Sequence, residues 1–300
     1  MNNFRIRICI IGLVGLLLFG CTTRNSKVIE QKHTVSVSIL PQKYLVDRLT
    51  DSSFRINVMV PPGTSPEMYE PSPVQMKEVG NSVVYFAVGP LEFESTILPR
   101  IKELNPNIKF VNLSDGINLL EGHRHREIMG EEDHHHINYD PHIWTSTAEF
   151  KKMAENTCKV LCEVFPEKKE LFQGNLSKLN QDIDNLDLRI KKMIENAKTK
   201  DFLIYHPALT YFSKEYGLNQ IAIEEDGKNP SAQKLTVLLS LAKKEGINTV
   251  FIQSQFDSHN AEMVAMELGG EIVKIDPLGY DWLKNMNDMV DKLAVALKSK

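Results

Sequence analysis

Six of the nine histidines in this 300-residue chain fall between positions 121 and 142: His123, His125, His134, His135, His136 and His142. The stretch from Glu121 to Asn138 adds Glu121, Glu127, Glu131, Glu132 and Asp133 and carries almost no apolar side chain. Imidazole and carboxylate at that density suit borderline divalent cations, zinc above all. So polar a segment cannot join a core, and the expectation is a mobile surface loop that captures metal weakly and hands it on. Ordering so many residues around one ion is entropically costly, which argues against the loop as the main site. His206 ends an apolar strand pattern, where a lone histidine is ordinarily a hydrogen-bonded core group. His33 and His259 are expected to be exposed. Cys158 and Cys162 lie four apart in a helical pattern, poorly oriented for a disulfide, and read as small buried residues on one face.

Those residues need a compartment and a scaffold. Arg5 and Arg7 precede an apolar run from Ile8 to Phe19. At about 12 residues it is too short for a permanent span of about 20 and right for a signal peptide. It ends Leu18-Phe19-Gly20-Cys21, which resembles a bacterial lipobox. Residues 1–20 are then a lipoprotein signal peptide, Cys21 the acylated first residue, and 21–32 a lipidated tether. Cleavage takes the net charge from −4 to −6 by removing the two arginines. The expected location is extracytoplasmic, on a membrane surface. Hydrophobic residues at 42% and charged residues at 25% describe a folded chain. An acidic balance argues against a nucleic-acid partner. No Walker loop and no G-x-G-x-x-G occurs, so nucleotide chemistry is unsupported.

Short β-branched runs bounded by turn residues predict strands over 34–40, 54–60, 83–88 and 108–113, and again over 202–205, 219–223, 249–253 and 271–275. Helical patterns lie between them, over 41–49, 73–79, 92–104, 147–164, 209–216, 232–244, 261–268 and 282–297. Alternation of this kind predicts an α/β fold with parallel sheets built from βαβ units. Between the two groups of four, Phe172, Leu176, Leu179, Ile183, Leu186, Ile190, Met193 and Ala197 recur at steps of four and three, one stripe of a long helix. Some 30 residues give a rod of roughly 45 Å. A coiled-coil oligomer is the competing reading; a helix laid along both lobes fits the even flanking better. The expected organisation is an N-terminal lobe over 33–165 with the His-rich loop 121–138, a linking helix over 166–199, and a C-terminal lobe over 200–300.

Four stretches together resemble a known family: Pro61-Pro62-Gly63-Thr64-Ser65-Pro66-Glu67-Met68-Tyr69-Glu70-Pro71-Ser72-Pro73, then Asp140-Pro141-His142-Ile143-Trp144, then Tyr205-His206-Pro207-Ala208-Leu209-Thr210-Tyr211-Phe212 with Tyr216-Gly217-Leu218, and Gly269-Gly270-Glu271 leading into Ile275-Asp276-Pro277-Leu278. The chain resembles the zinc/manganese-type solute-binding proteins of bacterial ABC importers, the ZnuA/TroA-like group, over about residues 33 to 298. The resemblance implies two Rossmann-like lobes with small parallel sheets, joined by one long backbone helix, with a metal site in the interlobe cleft. It implies Glu67, His142, His206 and Asp276 as metal ligands, with Trp144 and Tyr211 packing around them. The sequence departs from the family at Glu67, where histidine is usual, and at Asn229, where glutamate commonly precedes Pro-Ser. Two carboxylates with two imidazoles are a harder set, more open to Mn²⁺ or Fe²⁺; the His-rich loop favours Zn²⁺.

The implied function is capture of Zn²⁺ and delivery to a membrane permease powered by a separate ATPase, with a Mn²⁺ or Fe²⁺ carrier or a metal-binding surface adhesin as alternatives. The implied state is a monomer. Four protein ligands in a closed tetrahedral set would leave no position for an activated water, which argues against an enzyme. H-E-x-x-H is absent as well.

Overall fold

The computed structural model describes residues 33–67, 69–122, 139–224, 230–256 and 259–298. The signal peptide, Cys21 and its tether, the loop histidines His123, His125, His134, His135 and His136, and Asn229 lie outside the described residues.

Among the described residues eight strands form two four-stranded sheets, and every strand pairing within them is parallel. The first sheet holds β1 (Thr34–Val37), β2 (Arg55–Val58), β3 (Val84–Ala87) and β4 (Lys109–Asn112) in the order β2-β1-β3-β4. The second holds β5 (Asp201–Ile204), β6 (Asn219–Ala222), β7 (Thr249–Gln253) and β8 (Glu271–Ile275) in the order β6-β5-β7-β8. The two halves therefore share one topology. Central strands β3 and β7 are buried along their whole length, as expected of parallel strands covered on both faces.

Helices cross over between the strands. α1 (Leu40–Thr50), α2 (Pro73–Val79), α3 (Glu92–Leu104) and α4 (Thr147–Val164) belong to the first half. α6 (Thr210–Tyr216), α7 (Ala232–Glu245), α8 (His259–Glu267) and α9 (Trp282–Ala296) belong to the second. The predicted first strand is shorter than its apolar run. Gln42 Oε1 accepts from the amides of Ser38 and Ile39, and this turns the chain into α1. Ser72 and Ser231 cap α2 and α7 by accepting from Gln75 and Lys234 amides, which fixes where those helices begin.

The long helix α5 spans Lys169–Glu195, entered through a single 3₁₀ turn at Pro166–Lys168. Its stripe is spent inside the chain. Phe172, Leu179, Ile183, Leu186 and Ile190 are all buried, packed against α1 and α4 from the first half and α9 from the second. One apolar core runs through both halves, with a smaller cluster behind the second sheet. Ala197 lies beyond the helix end, so the stripe closes with Ile194. The coiled-coil reading has no face left to pair. Cys158 and Cys162 are free thiols with sulfurs 3.9 Å apart.

Candidate metal centre

Parallel sheets bring their functional loops to the carboxyl ends of the strands, and the polar residues gather there. Glu67 lies on the loop after β2, His206 two residues beyond β5, Glu224 two beyond β6, and Gln253 at the end of β7. His142 precedes the 3₁₀ turn that leads into α4.

Both imidazoles are held from behind. His142 Nδ1 donates to Asp140 Oδ1 at 2.9 Å, and His206 Nδ1 donates to Glu224 Oε1 at 3.0 Å. Each Nε2 is thereby turned toward the other half, carrying its lone pair in the neutral tautomer. The two Nε2 atoms stand 3.3 Å apart, and Glu67 Oε1 lies 3.2 Å from that of His206 and 3.9 Å from that of His142. Two lone pairs and a carboxylate that close repel unless something positive lies among them. A point equidistant from the three atoms is about 2.0 Å from each, the distance at which zinc holds imidazole nitrogen and carboxylate oxygen. His142 and His206 are buried and Glu67 is partly buried.

The electrostatics agree with a site built for positive charge. Burial disfavours the His206 imidazolium, but the Glu224 and Glu67 carboxylates outweigh it and carry its pKa up to about 9. Burial pushes Glu67 up, but the bond and charge of His206, with His142 behind it, hold the carboxyl below its ordinary value. For Asp140 too, burial is outweighed by the charge and bonds of His142, and its pKa is lowered. In the metal-free chain the two carboxylates favour positive charge on the His206 ring.

Asp276 stands outside this group. Its Oδ1 accepts from Gln255 Nε2 at 3.0 Å and from the Leu278 amide at 3.2 Å. It lines a neighbouring cavity, and Gln255 and Leu278 line both. Three protein donors therefore converge among the described residues, not the four implied by the resemblance. The inference from a closed four-ligand set to absence of catalysis does not follow from this arrangement.

Trp144 and Tyr211 pack around the centre as expected. Trp144 is fully buried, its ring 5.2 Å from that of His142. Tyr211 Oη donates to the Asp140 carbonyl and accepts from the Leu120 amide, both at 3.0 Å. Glu121 and Tyr139 form an antiparallel bridge beside it. The two ends of the His-rich insertion are thus pinned together three residues from His142. Sequence reading missed Asp140, Glu224, Gln253 and Gln255 as site residues. Asp140 sits in the quoted Asp-Pro-His motif, and the other three lie at the ends of strands β6 and β7, so position at a strand's carboxyl end was the available signal.

Two parallel sheets sharing one helix, with imidazoles and a carboxylate converging from both, define a two-lobed binding protein with a cation-competent cleft. A family model described as zinc-uptake complex component A, periplasmic, matches residues 35–296. The chain belongs to this family. It is 26% identical over 281 residues to the zinc-binding lipoprotein AdcA of Streptococcus pneumoniae, covering 91% of this chain and 55% of AdcA. The chain thus spans about half the length of AdcA. It is 25% identical to the high-affinity zinc uptake system protein ZnuA of Bacillus subtilis, over 90% of this chain and 87% of that protein. A crystal structure of a ZnuA superposes with a TM-score of 0.81 at 30% identity, covering 89% of this chain and 99% of that one. The laminin-binding protein Lmb of Streptococcus agalactiae superposes with a TM-score of 0.77 at 19% identity, over 89% of this chain and all of that one, a likeness of fold.

Proposed function

We propose that this chain is the extracytoplasmic binding component of an ABC importer, capturing Zn²⁺ through Glu67, His142 and His206 and delivering it to a membrane permease driven by a separate ATPase. The observation that carries this reading is the triangle of donor atoms, whose size matches zinc–ligand distances while their second nitrogens are tied to carboxylates. The relatives named for zinc binding and zinc uptake support the choice of cargo. Glu67 hardens the donor set, so Mn²⁺ and Fe²⁺ are the cargoes to compare. Asp276, held by Gln255, lends negative charge from just outside the trio.

The loop histidines His123, His125, His134, His135 and His136 serve as an accessory capture surface. The pinned ends of that insertion, close to His142, support a short transfer path. Cys21 anchors the chain by lipid, and the chain acts as a monomer. It is not an enzyme in this reading. The cavity beside the three donors has room for about one water.

Calorimetric titration with Zn²⁺ and Mn²⁺ tests the reading, on the intact chain and on one lacking 123–138. One tight zinc site should survive the deletion. If all zinc binding goes with the deleted segment, the cleft assignment is wrong. Zinc must also displace the His206 proton, which is held to about pH 9. Ligation needs the lone pair, so uptake at pH 7.5 should release close to one proton. Titrations in two buffers of different ionisation enthalpy give that number, and a value near zero would count against His206 as a ligand.

A further inference from the structure

One buried polar atom in the cavity wall has no partner among the described residues. Gln253 ends β7 and is 2% exposed. Its Nε2 donates to the His206 carbonyl at 2.7 Å, which fixes the plane of the amide. Its Oε1 is buried and accepts no hydrogen bond from the described residues. The residue lines the same cavity as Glu67, His142 and His206. Buried amide oxygens in native proteins are nearly always paired, and one that is not calls for an explanation.

The cation site has a matching deficiency. Three protein donors leave one of zinc's usual four positions open. Asp276 is engaged elsewhere, by Gln255 and by the Leu278 amide. The cavity has room for about one water, which needs roughly 10–15 Å³. Water on a divalent cation is a strengthened donor and lacks only an acceptor.

We propose that Gln253 is a positioning residue for the ion's fourth coordination position, its Oε1 accepting a hydrogen bond from a water bound to the cation held by Glu67, His142 and His206. The inference rests on the metal-binding reading above. It assigns Asp276 to the wall rather than to the ion. It also gives the bound ion one exchangeable ligand beside two buried imidazoles, a place where release can begin.

The test uses the purified chain, loaded with Co²⁺ as a spectroscopic stand-in and with Zn²⁺ for affinity. In ¹⁷O-enriched water, pulsed EPR of the wild-type Co²⁺ form should show one strongly coupled oxygen. Gln253→Leu should weaken zinc binding about tenfold and alter the Co²⁺ visible bands. Gln253→Met removes the same acceptor and serves if the leucine variant fails to fold by circular dichroism. Asp276→Asn should stay within threefold of wild type. Absence of ¹⁷O coupling in the wild type overturns the proposal whatever the variants do. So does an Asp276→Asn loss of tenfold or more with Gln253 variants unchanged, which would make Asp276 the fourth ligand. If His206→Ala leaves zinc affinity intact, the metal-binding reading itself fails, an outcome distinct from failure of the Gln253 role alone.

Discussion

His206→Ala should raise the dissociation constant for Zn²⁺ by three orders of magnitude or more, about 4 kcal/mol. The substitution removes one of three convergent donors, and two effects add. The triangle of Nε2, Nε2 and Oε1 loses its central member, the atom nearest both others at 3.3 and 3.2 Å. Glu224, 4% exposed, also loses its hydrogen bond to the imidazole. His142→Ala should behave similarly. Glu67→Gln should cost less, because the amide oxygen still donates a lone pair and only the charge is lost. Glu224→Gln leaves all three donors in place and should cost about 10–100-fold, the usual effect of disturbing the group behind a metal-bound histidine. Competition against a chelator of known affinity measures the series. An affinity for His206→Ala within threefold of wild type would place the zinc site elsewhere.

That ordering of effects depends on residues differing in how plainly the sequence announces them. The fold was largely legible. Four short β-branched runs on each side of a stripe from Phe172 to Ile190 specify two parallel sheets and a shared helix, because burial on both faces leaves strands no polar alternation and the stripe can only face inward. Ends were less legible: β1 stops at Val37 because the Gln42 side chain caps the turn, an interaction that apolar patterning does not register. At the site, Glu67, His142 and His206 came from motifs. What motifs could not give was which donors share a point. Asp276 follows a strand end like the others, yet a glutamine amide from the turn after the neighbouring strand holds it aside. Gln253 and Glu224 are ordinary strand-end residues until β6 and β7 pair with β5 and set them beside His206, a neighbourhood that exists only in three dimensions.

The second large effect lies in the seam beside the site. Trp282→Ala should destabilise the chain by about 3–5 kcal/mol, the usual cost of truncating a buried tryptophan, with about 1 kcal/mol more for a carbonyl left without its donor. Trp282 begins α9 and is 1% exposed. Its ring stacks on Phe150 of α4 with centroids 3.7 Å apart and planes 5° from parallel. Its Nε1 donates to the Trp144 carbonyl at 2.7 Å, while Trp144 Nε1 donates to the Pro277 carbonyl at 2.9 Å. The two indoles thus form a reciprocal cross-link: each carries a bond from one half of the fold into the other, next to His142 on one side and Asp276 on the other. Trp282→Phe keeps a ring for stacking and loses only the donor, so it should cost about 1 kcal/mol. Urea denaturation of the metal-free chain measures both, and a loss below 1 kcal/mol for the alanine variant would show that the seam does not hold the halves together. The same contacts set the distance between His142 and His206, which come from opposite halves and must stay 3.3 Å apart for a cation to span them. Loosening the seam should therefore lower zinc affinity in the alanine variant more than in the phenylalanine variant. Excess zinc, binding only the folded chain, should restore part of the lost stability in proportion to the affinity that remains.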